Sequence, residues 1–129
     1  MIKKETKLIV VNFPHNPTGL VPPVKDFMKI VELCKKNGIY LFSDEMYRGL
    51  ELQNGVQLPS ACEVYDRAIV LSGMSKVYGM PGTRVGWLAT HQKDLMYEIN
   101  KYKDYTTICG SSTSEILAII ALRNGNIIA

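Results

Sequence analysis

A lysine set among glycines, in the stretch SGMSKVYGMPGTRVGW (residues 72–87), is where the residue types point most directly to chemistry. The amine of Lys76 can hold an aldehyde as a Schiff base, provided that desolvation or neighbouring cations leave it unprotonated. Eight residues on, Arg84 offers a planar cation suited to gripping a phosphate bidentately. Two more polar clusters lie upstream: Asn16 in HNPTG, and Asp44 with Tyr47 in FSDEMY. Each has a bland alternative. NPTG is a good turn, Asp44 can cap a following helix, Tyr47 can be half-buried packing, and Lys76 and Arg84 can be solvated surface charges.

The elements around these residues decide between the readings. KLIVVNF (7–13) is a β-branched apolar run closed by proline, the pattern of a buried strand. After the loop PHNPTGLVPP, Val24, Phe27, Met28, Val31 and Cys34 recur at helical spacing, and KKNG supplies C-terminal lysines and a glycine stop. IYLFSDE (39–45) reads as a second strand and RAIVLSG (67–73) as a third. A strand, helix, strand order of these lengths is a right-handed parallel βαβ unit. Between the second and third strands, the QNG and LPS turn signals predict a loop with a short helix. RVGWLAT (84–90) follows after so brief a link that an antiparallel neighbour fits best. Two helices finish the chain. One spans about 92–103 with Leu95, Met96, Ile99 and Tyr102 inward; the other spans about 112–123, with capping-box spacing at Ser112 and Glu115. The expected class is α/β, a mostly parallel sheet with flanking helices.

Composition narrows the function classes. The 129 residues suit one domain, and 47% apolar with 21% charged residues is ordinary globular composition. A formal charge of +3 without a basic run gives no support for nucleic-acid binding. The three cysteines, Cys34, Cys62 and Cys109, lack C-x-x-C spacing, arguing against a disulfide framework or a zinc site; they read as reduced core thiols. The longest apolar run, Ile116 to Leu122, is too short to span a bilayer, and the charged start is not a signal peptide. A cytoplasmic protein is expected, with no membrane or nucleic-acid partner.

The three polar clusters fall just past the carboxyl ends of the three predicted parallel strands, the edge where open α/β sheets bind ligands. A Schiff-base lysine, a phosphate-gripping arginine and a carboxylate able to hold a pyridinium nitrogen protonated together describe a pyridoxal 5'-phosphate site. NFPHNPTG, YLFSDEMYRGL and SGMSKVYGMPGTRVGW, in this order and spacing, resemble the class I/II aminotransferases, fold-type I pyridoxal-phosphate enzymes. The resemblance runs from the first strand to SSTSEILAIIALRNG. It implies that Lys76 is the Schiff-base lysine and the base that moves the substrate Cα proton. It further implies that Asp44 pairs with the pyridine nitrogen, that Tyr47 and Asn16 bond the phenolic oxygen, and that Arg84 grips the phosphate. Asn16 also comes within the range of a substrate carboxylate in this picture. The family commonly carries serine or threonine three residues before the lysine, where this chain has Gly73. Ser75 matches a second family serine, and Ser72 is displaced by one residue from the missing one.

By this resemblance, residues 1–129 form part of the large, cofactor-binding domain. The upstream phosphate-binding turn, the ring that stacks on the pyridine and the arginine for the substrate α-carboxylate are not found in it. The expected function is transamination between amino acid and 2-oxo acid substrates through Lys76, incomplete in the isolated chain, with a homo-oligomer or a second chain completing the site. The alternatives are a catalytically inactive truncated remnant, or another fold-type I activity: lyase, decarboxylase or oxidase. A phosphate- or nucleotide-binding module using GMPGTR is disfavoured, because neither G-x-x-x-x-G-K-[ST] nor G-x-G-x-x-G occurs.

Overall fold

A computed structural model of the protein describes residues 2–52 and 57–125. Its first unit is β1 (Leu8–Asn12), α1 (Val24–Asn37) and β2 (Tyr40–Asp44), with β1 and β2 parallel in a register running from Leu8 opposite Tyr40 to Asn12 opposite Asp44. After a short α2 (Ala61–Val64), β3 (Ala68–Gly73) joins β2 in parallel, and β4 (Gly86–Ala89) joins β3 antiparallel. The four strands therefore lie in sequence order, and α3 (Lys93–Thr106) and α4 (Ser112–Arg123) follow. The expected mixed, mostly parallel sheet is what forms, with each strand one to three residues shorter than its sequence pattern.

Spacing explains α1. Phe27, Val31 and Cys34 fall four and three residues apart on one stripe, and all three are buried against Leu41, Ala68 and Val70 of the sheet and Leu58, Ala61 and Tyr65. Burial of such a side chain stabilises by roughly 1.5–3 kcal/mol, so this layer holds β2 and β3 together. Gly38 stops the helix in a left-handed turn (φ 63°), its N–H meeting the carbonyls of Cys34 and Lys35. Tyr65 ties the far side by donating its hydroxyl to Ile39 O at 2.8 Å.

The later helices depart from expectation in two respects, their capping and the exposure of α3. The capping box belongs to α2, between Ser60 and Glu63, whereas α4 begins at Ser111, whose side chain accepts from Ser114 N–H. Residues 111–114 all carry hydroxyls, so spacing could not choose among them. Tyr102, expected inward, is 75% exposed, and Leu95, Met96 and Ile99 are only half-buried. In α4 it is the small residues Ala118 and Ala121 that are buried, against Met74, while Ile116, Ile119, Ile120 and Leu122 face outward.

The cysteines are free, but they are not all core residues: Cys34 is buried, Cys62 half-buried and Cys109 exposed. Burial pushes the Cys34 thiol up, and burial followed by the Glu45 carboxylate does the same for Cys62. Among the described residues there is no metal-holding cluster, and no helix is long and apolar enough to cross a membrane. The QNG turn signal lies outside the described residues.

Candidate functional site

Because β1, β2 and β3 run parallel, their carboxyl ends share one edge, with Asn12 in register with Asp44 and Asp44 with Leu71. Asn12, which the sequence reading overlooked, is the strut between the first two clusters. Its Nδ2 donates to Asp44 O at 3.2 Å, and its Oδ1 accepts from Asn16 N–H at 3.1 Å. The signal available was a polar residue closing an otherwise apolar strand. Beyond it the NPTG loop turns tightly: Gly19 N–H meets His15 O at 2.7 Å, His15 N–H meets Leu20 O, and the His15 ring lies 2.8 Å from the Thr18 hydroxyl. Gly19 sits at φ 69°, a left-handed conformation that favours glycine, and a Cβ there would also displace the exposed Leu52 side chain.

That turn delivers Asn16 to the second cluster, where its Nδ2 donates to the Tyr47 hydroxyl at 3.0 Å. The contact spans 31 residues of sequence and ties together two residues singled out independently. Asp44 does not cap a helix, since none follows it. Its Oδ1 accepts from Met46 N–H at 3.0 Å, closing the turn that carries Tyr47, and Oδ2 has no partner among the described residues.

The third cluster stands on Met74, which is fully buried against Ala118 and Ala121. From that anchor the chain turns outward, held by Gly79 N–H to Lys76 O at 2.9 Å and Met80 N–H to Met74 O at 3.0 Å. Lys76 is exposed, and its Nζ lies 5.5 Å from the centre of the Tyr47 ring, within the reach of a cation–π attraction. Asn16, Tyr47 and Lys76 are thus brought into one group, with Asp44 three residues before Tyr47 on the same turn.

The phosphate-side residues are not gathered in the same way. Arg84 is exposed, with φ 54°, and its Nη1 donates to Pro81 O at 2.9 Å. It borders a groove of about 630 Å³ with Lys103, Thr107, Ser111 and Glu115, away from the other clusters' hydrogen bonds. Ser75 donates its hydroxyl to Met46 Sδ at 3.4 Å, while Ser72 lies inside β3 in register with Trp87. The set of groups, comprising an amine, a phenol, an amide, an open carboxylate oxygen and an exposed guanidinium, fits a phosphorylated pyridine aldehyde.

Gly73 has a physical reason. It pairs with Gly86 across the β3–β4 ladder, and a Cβ on it would lie 2.9 Å from Val85 O and 3.0 Å from Gly86 Cα. Both obstacles are backbone, so a side chain here would push the two strands apart. Gly73→Ser is therefore expected to lower the free energy of unfolding by about 1–3 kcal/mol rather than to repair a phosphate contact. Urea unfolding of the two chains checks it; equal midpoints would show that β4 yields freely.

Comparison with known proteins agrees with this geometry. The family model for aminotransferases of class I and II matches residues 1–126. The aspartate aminotransferase of Thermotoga maritima is 32% identical over 123 residues, and the capreomycidine synthase of Streptomyces vinaceus 31% over 126, covering 95% and 98% of this chain respectively. A pyridoxal-phosphate-dependent aminotransferase structure from Streptococcus suis superposes with a TM-score of 0.89 at 35% identity, over 98% of this chain and 33% of the other. The chain spans about a third of the length of the curated relatives it matches, 32% for both named above. A family model covering nearly every residue, with the same sheet and flanking helices, shows that the chain belongs to the class I and II aminotransferases, a pyridoxal-phosphate-dependent family.

Proposed function

We propose that this chain carries the Schiff-base half of a pyridoxal 5'-phosphate site serving amino-group transfer between an amino acid and a 2-oxo acid. The observation that carries the reading is the meeting of Asn16, Tyr47 and Lys76 beside Asp44 at the ligand-binding edge of the sheet. Bound there, pyridoxal phosphate supplies a ring that withdraws electrons and so stabilises negative charge at the substrate Cα.

The chain's own residues do the rest. Lys76 anchors the aldehyde and, once released by substrate, moves the proton at Cα. Asp44 uses its open Oδ2 to keep the ring nitrogen protonated. Since Asn16 already donates to the Tyr47 oxygen, the Tyr47 hydrogen is free to donate to the phenolic oxygen. Arg84 exchanges Pro81 O for the phosphate, helped by Ser75 and Ser72. The two-thirds of the relatives' length that this chain does not match belongs to polypeptide outside these residues, and a homo-oligomer or a second chain would complete the site, in a cytoplasmic setting.

Relatives named for aspartate, for valine and pyruvate, and for N-acetyl-LL-diaminopimelate match about equally, so the amino donor stays open. A second reading, a different reaction on the same lysine, has the capreomycidine synthase match in its favour. The test is direct: mix the chain with pyridoxal 5'-phosphate, record the visible band, reduce with borohydride, and map the added mass. A band and mass on the Lys76 peptide are expected. Their absence overturns the reading, and assays with amino and 2-oxo acid pairs then separate transfer from the second reaction.

A further inference from the structure

Glu45 lies between Asp44 and Tyr47 in the chain yet points the other way: it is 5% exposed, the one buried charged residue among those described. A buried carboxylate is destabilising unless its oxygens are bonded. Its Oε1 accepts from Ala61 N–H at 2.8 Å and from the Ser60 hydroxyl at 3.2 Å, and Oε2 lies 3.8 Å from Arg48 Nη1. Arg48 in turn donates to Leu58 O. The backbone of Glu45 is equally occupied, its N–H on Leu71 O at 2.9 Å and its carbonyl accepting Arg48 N–H at 3.0 Å.

We propose that Glu45 is a positioning residue, fastening the turn that presents Asp44 and Tyr47 to β3 and to the 58–61 segment; this rests on the cofactor reading above. The alternative is that Glu45 merely caps α2. That helix has four residues and already possesses its own capping box between Ser60 and Glu63, so it has little need of a second acid. Three donors from two segments converge on Glu45, and one of them, Arg48, belongs to the turn itself. A carboxylate is acceptor-only and matches all three; a glutamine matches one side and turns its NH₂ against the other.

The test is amide hydrogen exchange on the chain without cofactor, comparing wild type, Glu45→Gln and Glu63→Gln. Glu45→Gln is expected to speed exchange at Met46 and Arg48 by about tenfold, through local opening of the turn. Glu63→Gln should affect only residues 61–64. Exchange in Glu45→Gln confined to 61–64 would make Glu45 a simple cap and overturn the proposal. Should Glu45→Gln not fold, Arg48→Gln carries the same test, since it leaves Ser60 and Ala61 bonded to Glu45; unchanged exchange at Met46 overturns it likewise. In the cofactor-loaded chain, Glu45→Gln should also shift the pH midpoint of the visible band while Glu63→Gln does not, and equal midpoints count against the proposal. Exchange needs no cofactor, so the positioning role and the cofactor reading can fail separately.

Discussion

Lys76→Ala is expected to give a folded chain that gains no mass when reduced with borohydride in the presence of pyridoxal 5'-phosphate. The fold should survive because Lys76 contributes little to it. Its side chain is exposed and makes no hydrogen bond among the described residues. The turn around it is held by backbone bonds and by the burial of Met74, neither of which the substitution touches. A surface change of this kind ordinarily alters stability by about 0.5 kcal/mol or less. The adduct, by contrast, depends on the group that Lys76 joins: its amine stands over the Tyr47 ring, whose hydroxyl accepts from Asn16 beside Asp44. Lys76→Arg sharpens the point, since it keeps the charge near Tyr47 but cannot form the imine. If electrostatics alone held the cofactor, Lys76→Arg would retain the visible band. Mass on another lysine in either variant, or a band that persists, would remove Lys76 from the role.

Where the sequence could be read, local chemistry governs. The βαβ unit follows from the spacing of Phe27, Val31 and Cys34 and from strands ended by polar residues or proline. The antiparallel β4 follows from a connection too short for a crossover. The candidate residues were visible because strand ends in a parallel sheet collect on one edge, so sequence position alone predicts their meeting. What was hidden depends on partners far along the chain. Asn12 acquires meaning from Asp44, 32 residues away, and Glu45 from Ala61, 16 residues away. Gly73 looked like a missing phosphate ligand until Gly86 and Val85 O were found against it. Tyr102 and the aliphatics of α4 follow the same rule in reverse. An apolar stripe predicts that a face can be covered, but burial requires a covering element, and these side chains stay exposed.

Asp44→Asn tests the other end of the proposed cofactor ring, and its value lies in how little else it should disturb. The amide oxygen of asparagine can still accept from Met46 N–H, the bond that closes the turn, so Tyr47 should stay where it is. What disappears is the negative charge on Oδ2, the atom left without a partner among the described residues. A hydrogen bond to a charged group contributes roughly 1.5–3 kcal/mol, so affinity for pyridoxal 5'-phosphate should fall by about 10- to 100-fold. Absorbance titration of wild type and variant measures it. Asp26→Asn is the matched control, because Asp26 is a partly exposed acid paired with Lys29 on α1 and takes no part in the hydrogen bonds of Asn16, Asp44 and Tyr47, so its loss should leave affinity unchanged. Asp44→Ala removes the Met46 bond as well, so a larger loss in that variant than in Asp44→Asn measures what the turn itself contributes. An Asp44→Asn affinity within twofold of wild type would mean that this carboxylate does not face the ring nitrogen, and that Asp44 serves the turn alone.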